Sequence, residues 1–270
     1  MPFVTTNGID MYYEVHGQGP VVVLAHPGGG NHLSWWQQVP AFAREFTCII
    51  FDHRGHGHTH DLPDDPGAAA YAQDLAGLLD HLEIPKAAIV GQSMGGWTAI
   101  GFAEAYPERV SALVLTNSTG GIREPELDQH FAAMKTWHPR QIWAGAYAPD
   151  FPQREPARAF LYQQITAWNI RRPVNPGAQL ELVHRIDPIV ERRIPLLFLT
   201  GEGDILIPPG VVERVARLIP HAQFVQIPGT GHSPYFEKPE EFNRIVLEFL
   251  REQHAMADGQ TAPLKEPGLA

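Results

Sequence analysis

A serine, a histidine and a carboxylate brought to one point can attack a carbonyl carbon, and this chain carries all three in loop positions. Ser93 lies in Gly91-Gln92-Ser93-Met94-Gly95, directly after the apolar run Ala87-Ala88-Ile89-Val90 and before the helix-like stretch Trp97–Ala103. A strand, Gly-x-Ser-x-Gly and a helix in that order make a sharp turn that lifts the serine hydroxyl clear of the sheet. The flanking glycines permit the turn, because a Cβ at either position would collide with neighbouring elements. A serine hydroxyl is a poor nucleophile at neutral pH and needs a base within hydrogen-bond reach. Among fourteen histidines, position selects His232, in the loop Pro228-Gly229-Thr230-Gly231-His232-Ser233-Pro234 between the last strand and the last helix. The imidazole in turn needs an acceptor that fixes its tautomer. Asp204 fits, in Gly201-Glu202-Gly203-Asp204 after the strand Leu196–Thr200, and Glu202 competes from two residues earlier. The loop Thr116-Asn117-Ser118-Thr119 offers no carboxylate.

These loops need a scaffold that delivers them to one edge. Residues 2–6 and 9–15 read as strands around the hairpin signal Asn7-Gly8. Further apolar runs recur at 20–25, 46–51, 86–90, 110–116, 194–200 and 222–227, most of them too continuous for a half-exposed strand. Helical patterns fall at about 35–44, 68–82, 94–105, 209–218 and 239–253. Such alternation predicts an open, mostly parallel sheet with ligands at the carboxyl ends of its strands. It breaks once, over 120–192, a stretch rich in proline and aromatic residues and too long for a structureless loop. That stretch is expected to be a helical cap, with Trp143 and Trp168 facing the site. Residues 254–270 lack periodicity and read as a disordered tail.

Composition narrows the partners. A formal charge of −10 argues against nucleic acid and anionic membrane surfaces. No apolar run approaches the length that spans a bilayer, and the N-terminus has no signal-peptide pattern, so a cytoplasmic location is expected. The single cysteine, Cys48, sits in a strand-like run and reads as a small buried hydrophobe.

From about residue 3 to residue 253 the chain resembles the α/β-hydrolase fold family. His26-Pro27-Gly28-Gly29-Gly30, with Trp35 following, is similar to the family's oxyanion loop after the third strand. Asp52-His53-Arg54-Gly55-His56-Gly57 resembles its turn after the fourth. Gly201–Asp204 with Pro208 resembles the acid loop, and Gly231–Pro234 with Phe236, Glu237 and Pro239 the histidine loop. The resemblance implies an α/β architecture: a mostly parallel eight-stranded sheet flanked by helices, with a helical cap inserted after strand 6. The core would comprise 1–119 and 193–253. It also implies a triad of Ser93, His232 and Asp204, with an oxyanion hole made by backbone N–H groups. Pro27 stands where the family usually has glycine and has no N–H to give. Spacing to Trp35 puts one donor on Gly28, with Gly29 as a fallback that also lines the substrate pocket, and the second donor is Met94 N–H.

His53, His56, His58 and His60 could bind zinc if they alternated along an extended segment. Gly55 and Gly57 make the segment a turn, and the resemblance gives it a structural role, so neither metal nor cofactor is expected. The implied reaction is hydrolysis of a small apolar ester or lactone through an acyl-enzyme. With a neutral histidine as base, the rate would rise across roughly pH 6–7.

Rival chemistries share the fold. Ser93–Gly96 and Glu241-Phe242-Asn243-Arg244 are similar to carbon–carbon bond hydrolases of ring-cleavage products, although Ser233 stands where that group often has tryptophan. A ligand receptor built on the fold, or acyl transfer to an acceptor other than water, would use the same residues. Dehalogenases and epoxide hydrolases carry aspartate at the elbow, where this chain has Ser93. The motifs are specific for the fold and much less so for a substrate.

Overall fold

The protein is described by a computed structural model covering residues 2–62, 66–134, 136, 138–169 and 178–256. Among these, eight strands form one sheet: β1 (Phe3–Thr6), β2 (Ile9–His16), β3 (Val21–Ala25), β4 (Thr47–Phe51), β5 (Ala87–Gln92), β6 (Val110–Thr116), β7 (Leu196–Gly201) and β8 (Gln223–Ile227). Their spatial order is β1-β2-β4-β3-β5-β6-β7-β8. β1 and β2 pair antiparallel around Asn7 and Gly8, both at positive φ, and β2 runs antiparallel to β4. From β4 to β8 every pairing is parallel.

The central strands are apolar on both faces, and their residues divide alternately between two cores. Val23, Ile49, Ile89, Leu113 and Phe198 enter one, packed by α2 (Tyr71–His81), α3 (Met94–Ala105) and, at the far edge, α9 (Pro209–Arg217). Val22, Leu24, Ile50, Val90, Val114 and Leu199 enter the other, under α1 (Val39–Phe42) and α11 (Pro239–Met256). Period-two burial on both faces requires helices on both faces. Cys48 lies in the second core, where burial pushes its thiol up to about 12, so it is an inert hydrophobe.

Between β6 and β7 the chain forms α4 (Pro125–Met134), α5 (Pro139–Ala144), α6 (Phe151–Arg154), α7 (Pro156–Ala167) and α8 (Asp187–Glu191). Ile189 of α8 is fully buried in the first core, so this last helix packs with the main body although sequence places it in the cap stretch 120–192. Two other boundaries differ. The expected helix 35–44 is split into a 3₁₀ turn, His32–Trp35, capped by Asn31, and the short α1 carrying Pro40. α11 continues to Met256, beyond the expected end at 253, with His254 packed on Phe46 at 5.5 Å; the rest of the proposed tail lies outside the described residues. No helix among the described residues is long and apolar enough to cross a membrane.

The order has a functional consequence. From β3 the chain crosses to β4 on one side and then to β5 on the other, so the loops leaving β3 and β5 diverge. A crevice opens at such a switch point. The loop carrying Gly28 leaves β3, and the turn carrying Ser93 leaves β5.

Candidate active site

Ser93 joins β5 to α3 at φ 50° and ψ −112°, a conformation costly for a side-chain-bearing residue. Three hydrogen bonds hold it there. Its N–H donates to Thr116 O (2.9 Å), and its carbonyl accepts from Ser118 Oγ (2.8 Å) and Gly96 N (2.9 Å). The flanking glycines are forced by close approach: a Cβ on Gly95 would overlap the Ala25 carbonyl, and one on Gly91 the Gly95 carbonyl. Met94 opens α3, so its N–H is one of those that a helix leaves without an internal partner.

Asp204 and His232 meet 28 residues apart in sequence. His232 Nδ1 lies 2.8 Å from Asp204 Oδ2, and both residues are buried. Asn117 Nδ2 donates to the same carboxylate oxygen at 2.7 Å, while Oδ1 accepts Leu206 N (2.8 Å) and Ile207 N (3.0 Å). With Nδ1–H given to Asp204, the imidazole keeps a lone pair on Nε2, the form needed to accept a proton. Glu202 turns away and accepts Gly229 N–H at the surface (3.0 Å).

Two buried side chains fix the histidine loop. Gln92 Nε2, beside the serine, donates to the His232 carbonyl at 2.7 Å. Glu237, in α10 (Pro234–Glu237), accepts Gly231 N (2.9 Å) and Ser233 N (3.3 Å) on one oxygen and Ala148 N (2.9 Å) on the other. Burial raises the Glu237 pKa, opposed by those three N–H bonds. Ser233 Oγ donates to the Ala146 carbonyl (2.7 Å), a second tie to the inserted segment.

The loop after β3 is held peptide by peptide. His26 Nδ1 and Gly30 N both donate to Pro27 O, at 2.8 and 2.9 Å. His26 Nε2 accepts the His53 N–H (3.0 Å), which fixes the neutral tautomer. Burial first, then the neighbouring His53 and His56, keeps the His26 pKa well below the usual imidazole range. His26 is thus a loop-shaping group. Gly28 packs beside Met94, such that an added Cβ would lie 3.5 Å from its sulfur, and Tyr71 Oη approaches that sulfur at 3.6 Å.

The other histidines of the turn take separate partners. His53 Nε2 bonds Thr98 Oγ1 (2.8 Å), His56 Nε2 faces Gly28 O (3.2 Å), and His58 stacks on His32. Among the described residues no cluster of three or more His, Cys, Asp or Glu could hold a metal ion.

Trp168 packs edge-on against His58 at 4.6 Å and against His32 at 5.7 Å, with about a third of its surface exposed. Trp143 lies on α5, but its side chain falls outside the described residues. The contact that sequence reading misses is one residue further on: Asn169 reaches the carbonyls of Gly29 (3.4 Å) and Gly30 (2.9 Å). Asn117, Gln92 and Glu237 stand in segments the sequence singles out, but looking there only for nucleophile, base and acid gives them no role. Asn117 stands directly after β6, in the loop that offers no carboxylate, and its partner Asp204 lies 87 residues away.

Known proteins share this fold. A family model described as alpha/beta hydrolase fold matches residues 20–160 and 138–239. A protein of Mycobacterium tuberculosis named "Putative non-heme bromoperoxidase BpoC" is 30% identical over 257 residues, 90% of this chain and 98% of the relative. A thermophilic esterase from Thermogutta terrifontis superimposes with a TM-score of 0.80 at 28% identity, covering 94% of this chain and 98% of the other. The meta-cleavage product hydrolase CumD of Pseudomonas fluorescens superimposes with a TM-score of 0.77 at 27% identity, covering 93% and 98%.

Proposed function

We infer the reaction from a premise the matches supply, that this chain belongs to the alpha/beta hydrolase fold family: it is a serine hydrolase that cleaves a carboxylic ester or lactone through an acyl-enzyme on Ser93. The observation that carries the reading is the buried Asp204–His232 hydrogen bond in the loops flanking a serine held at positive φ. The fold is shared by a protein named an esterase and another named a meta-cleavage product hydrolase, so the fold alone leaves the scissile bond open. The ester reading rests on Ser233, which follows His232 and ties to Ala146 O rather than offering an indole to a ring-cleavage product.

In the proposed cycle, His232 Nε2 takes the Ser93 proton as Oγ bonds to the carbonyl carbon. The carbonyl π pair moves to oxygen, where the N–H groups of Gly28 and Met94 receive the oxyanion. Asp204 accepts Nδ1–H and stabilises the imidazolium, and the four donors on its carboxylate keep it from rotating. Collapse expels the alkoxide, which takes the proton from His232. Water, deprotonated by the same nitrogen, then attacks the acyl carbon, and collapse releases the acid as Ser93 Oγ takes the proton back from His232. Gly28 and Gly29 leave that wall free of side chains, room for a branched acyl group or a lactone ring. The helices between β6 and α8 act as a cap over the crevice.

The test is turnover of p-nitrophenyl esters and acyl lactones of graded chain length, with the acyl adduct sought by intact mass in a rapid quench. Wild type should show the adduct, and Ser93→Ala should show neither adduct nor turnover. Turnover of a vinylogous 1,5-diketone with no activity on any ester or lactone would overturn the ester reading.

A further inference from the structure

We propose that Asn169 is a positioning residue for the oxyanion loop, so that docking of the inserted helices sets the direction of the donor N–H on Gly28. The inference rests on the serine hydrolase reading. Asn169 stands just beyond α7 and is buried. Its amide is fully used: Nδ2 donates to Gly30 O (2.9 Å) and Gly29 O (3.4 Å), while Oδ1 accepts Gly57 N (2.9 Å) and Asn31 Nδ2 (3.2 Å). Asn31 Nδ2 adds a second tether, to the Ile165 carbonyl of α7 at 3.0 Å. One side chain therefore joins the insert, the loop after β3 and the turn after β4.

Peptide planarity converts this clamp into control of the donor. The C=O of one residue and the N–H of the next share a rigid plane and point in opposite directions. Fixing the Gly29 carbonyl on Asn169 aims the Gly30 N–H the other way, onto Pro27 O at 2.9 Å. Fixing Pro27 O, which His26 Nδ1 also holds, aims the Gly28 N–H away from it in turn. Two peptide planes thus link Asn169 to Gly28. The side chain has to be an amide, because carbonyl oxygens face its nitrogen and N–H groups face its oxygen. Leucine satisfies neither side, and aspartate sets a negative oxygen against two carbonyls.

The experiment compares wild type with Asn169→Leu and Asn169→Ala, the smaller side chain leaving room for water and serving if the leucine variant does not fold. Phe160→Ala, on the exposed face of α7, is the control within the insert and should match wild type. Steady-state kinetics on p-nitrophenyl butyrate are set beside inhibition by an alkyl trifluoromethyl ketone, whose adduct on Ser93 carries an oxyanion, and by butyrate, which carries none. A displaced donor should lower kcat by about tenfold to a hundredfold, leaving KM within a few-fold. The ketone's Ki should rise by the same factor as kcat/KM falls, while butyrate affinity stays unchanged. A kcat within twofold of wild type in a folded variant overturns the inference, as does a loss confined to KM with ketone affinity intact. Either result leaves the serine hydrolase reading standing. A wild type that turns over no ester and forms no ketone adduct takes both down.

Discussion

The amide of Gln92, the residue before the serine, donates to the main-chain carbonyl of His232 at 2.7 Å, 140 residues away in sequence. The end of β5 and the loop after β8 are thereby fastened beside the two groups that exchange a proton in the proposed cycle. Gln92→Leu keeps the volume but strips a donor from a buried carbonyl, which costs about 1–3 kcal/mol. The expected outcome is a loss of that size in urea denaturation together with a fall in kcat of about tenfold from a drifting imidazole. Unchanged kcat in the destabilised variant would show that the bond serves only the fold.

Asp204 and Asn117 make a graded pair. Asp204→Asn would present an amide to His232 Nδ1 and favour the wrong tautomer, so kcat should fall by about 10⁴-fold. Asn117→Ala removes one of four donors from the carboxylate and leaves the tautomer intact, so its loss in kcat should be far smaller. Equal losses in the two variants would mean that Asn117 does more than orient Asp204.

The elbow strain is open to measurement. Ser93 at φ 50° pays for a conformation that glycine adopts freely. Ser93→Gly should therefore abolish turnover while raising stability by about 1–2 kcal/mol. A thermal midpoint below that of Ser93→Ala would place the strain elsewhere.

Acid should weaken the fold through two buried histidines. Burial, reinforced by neighbouring imidazoles, holds the folded pKa of His26 and His53 well below the usual 6.5. The unfolded chain takes up protons below about pH 6.5, while the folded chain does not. Their contribution is therefore complete above that pH and is lost as pH falls toward the folded values, at about 1.4 kcal/mol per pH unit for each histidine. Glu237 has the opposite sign: its raised pKa favours the folded state below about 4.5 and loses that effect as pH rises through the folded value. Urea denaturation between pH 7 and 5.5 should show falling stability, and His53→Gln should flatten the slope. A slope that His53→Gln leaves unchanged would rule His53 out as a source.

Much of this arrangement is legible in the sequence, for a physical reason. Each buried parallel strand is an unbroken apolar run whose end can be read directly, so Ser93, Asp204 and His232 could be assigned to loops on one edge. The amides were not legible. Asn117 finds Asp204 across 87 residues and Asn169 finds Gly57 across 112, and polar side chains serving distant loops carry no periodicity. Helix boundaries failed for local reasons, as where the Asn31 cap and Pro40 split the helix expected at 35–44. The stretch after β6 was readable as helical from its length and composition. That α8 returns to the main body depends on Ile189 entering the first core, which spacing does not reveal.

Everything proposed for the site depends on Ser93 being an activated nucleophile. Intact-mass measurement after incubation with an alkyl fluorophosphonate tests it most directly, with Ser93→Ala alongside. A single phosphonyl adduct is expected on wild type and none on the variant. A folded wild type that gains no adduct, or an adduct that persists in Ser93→Ala, would contradict it.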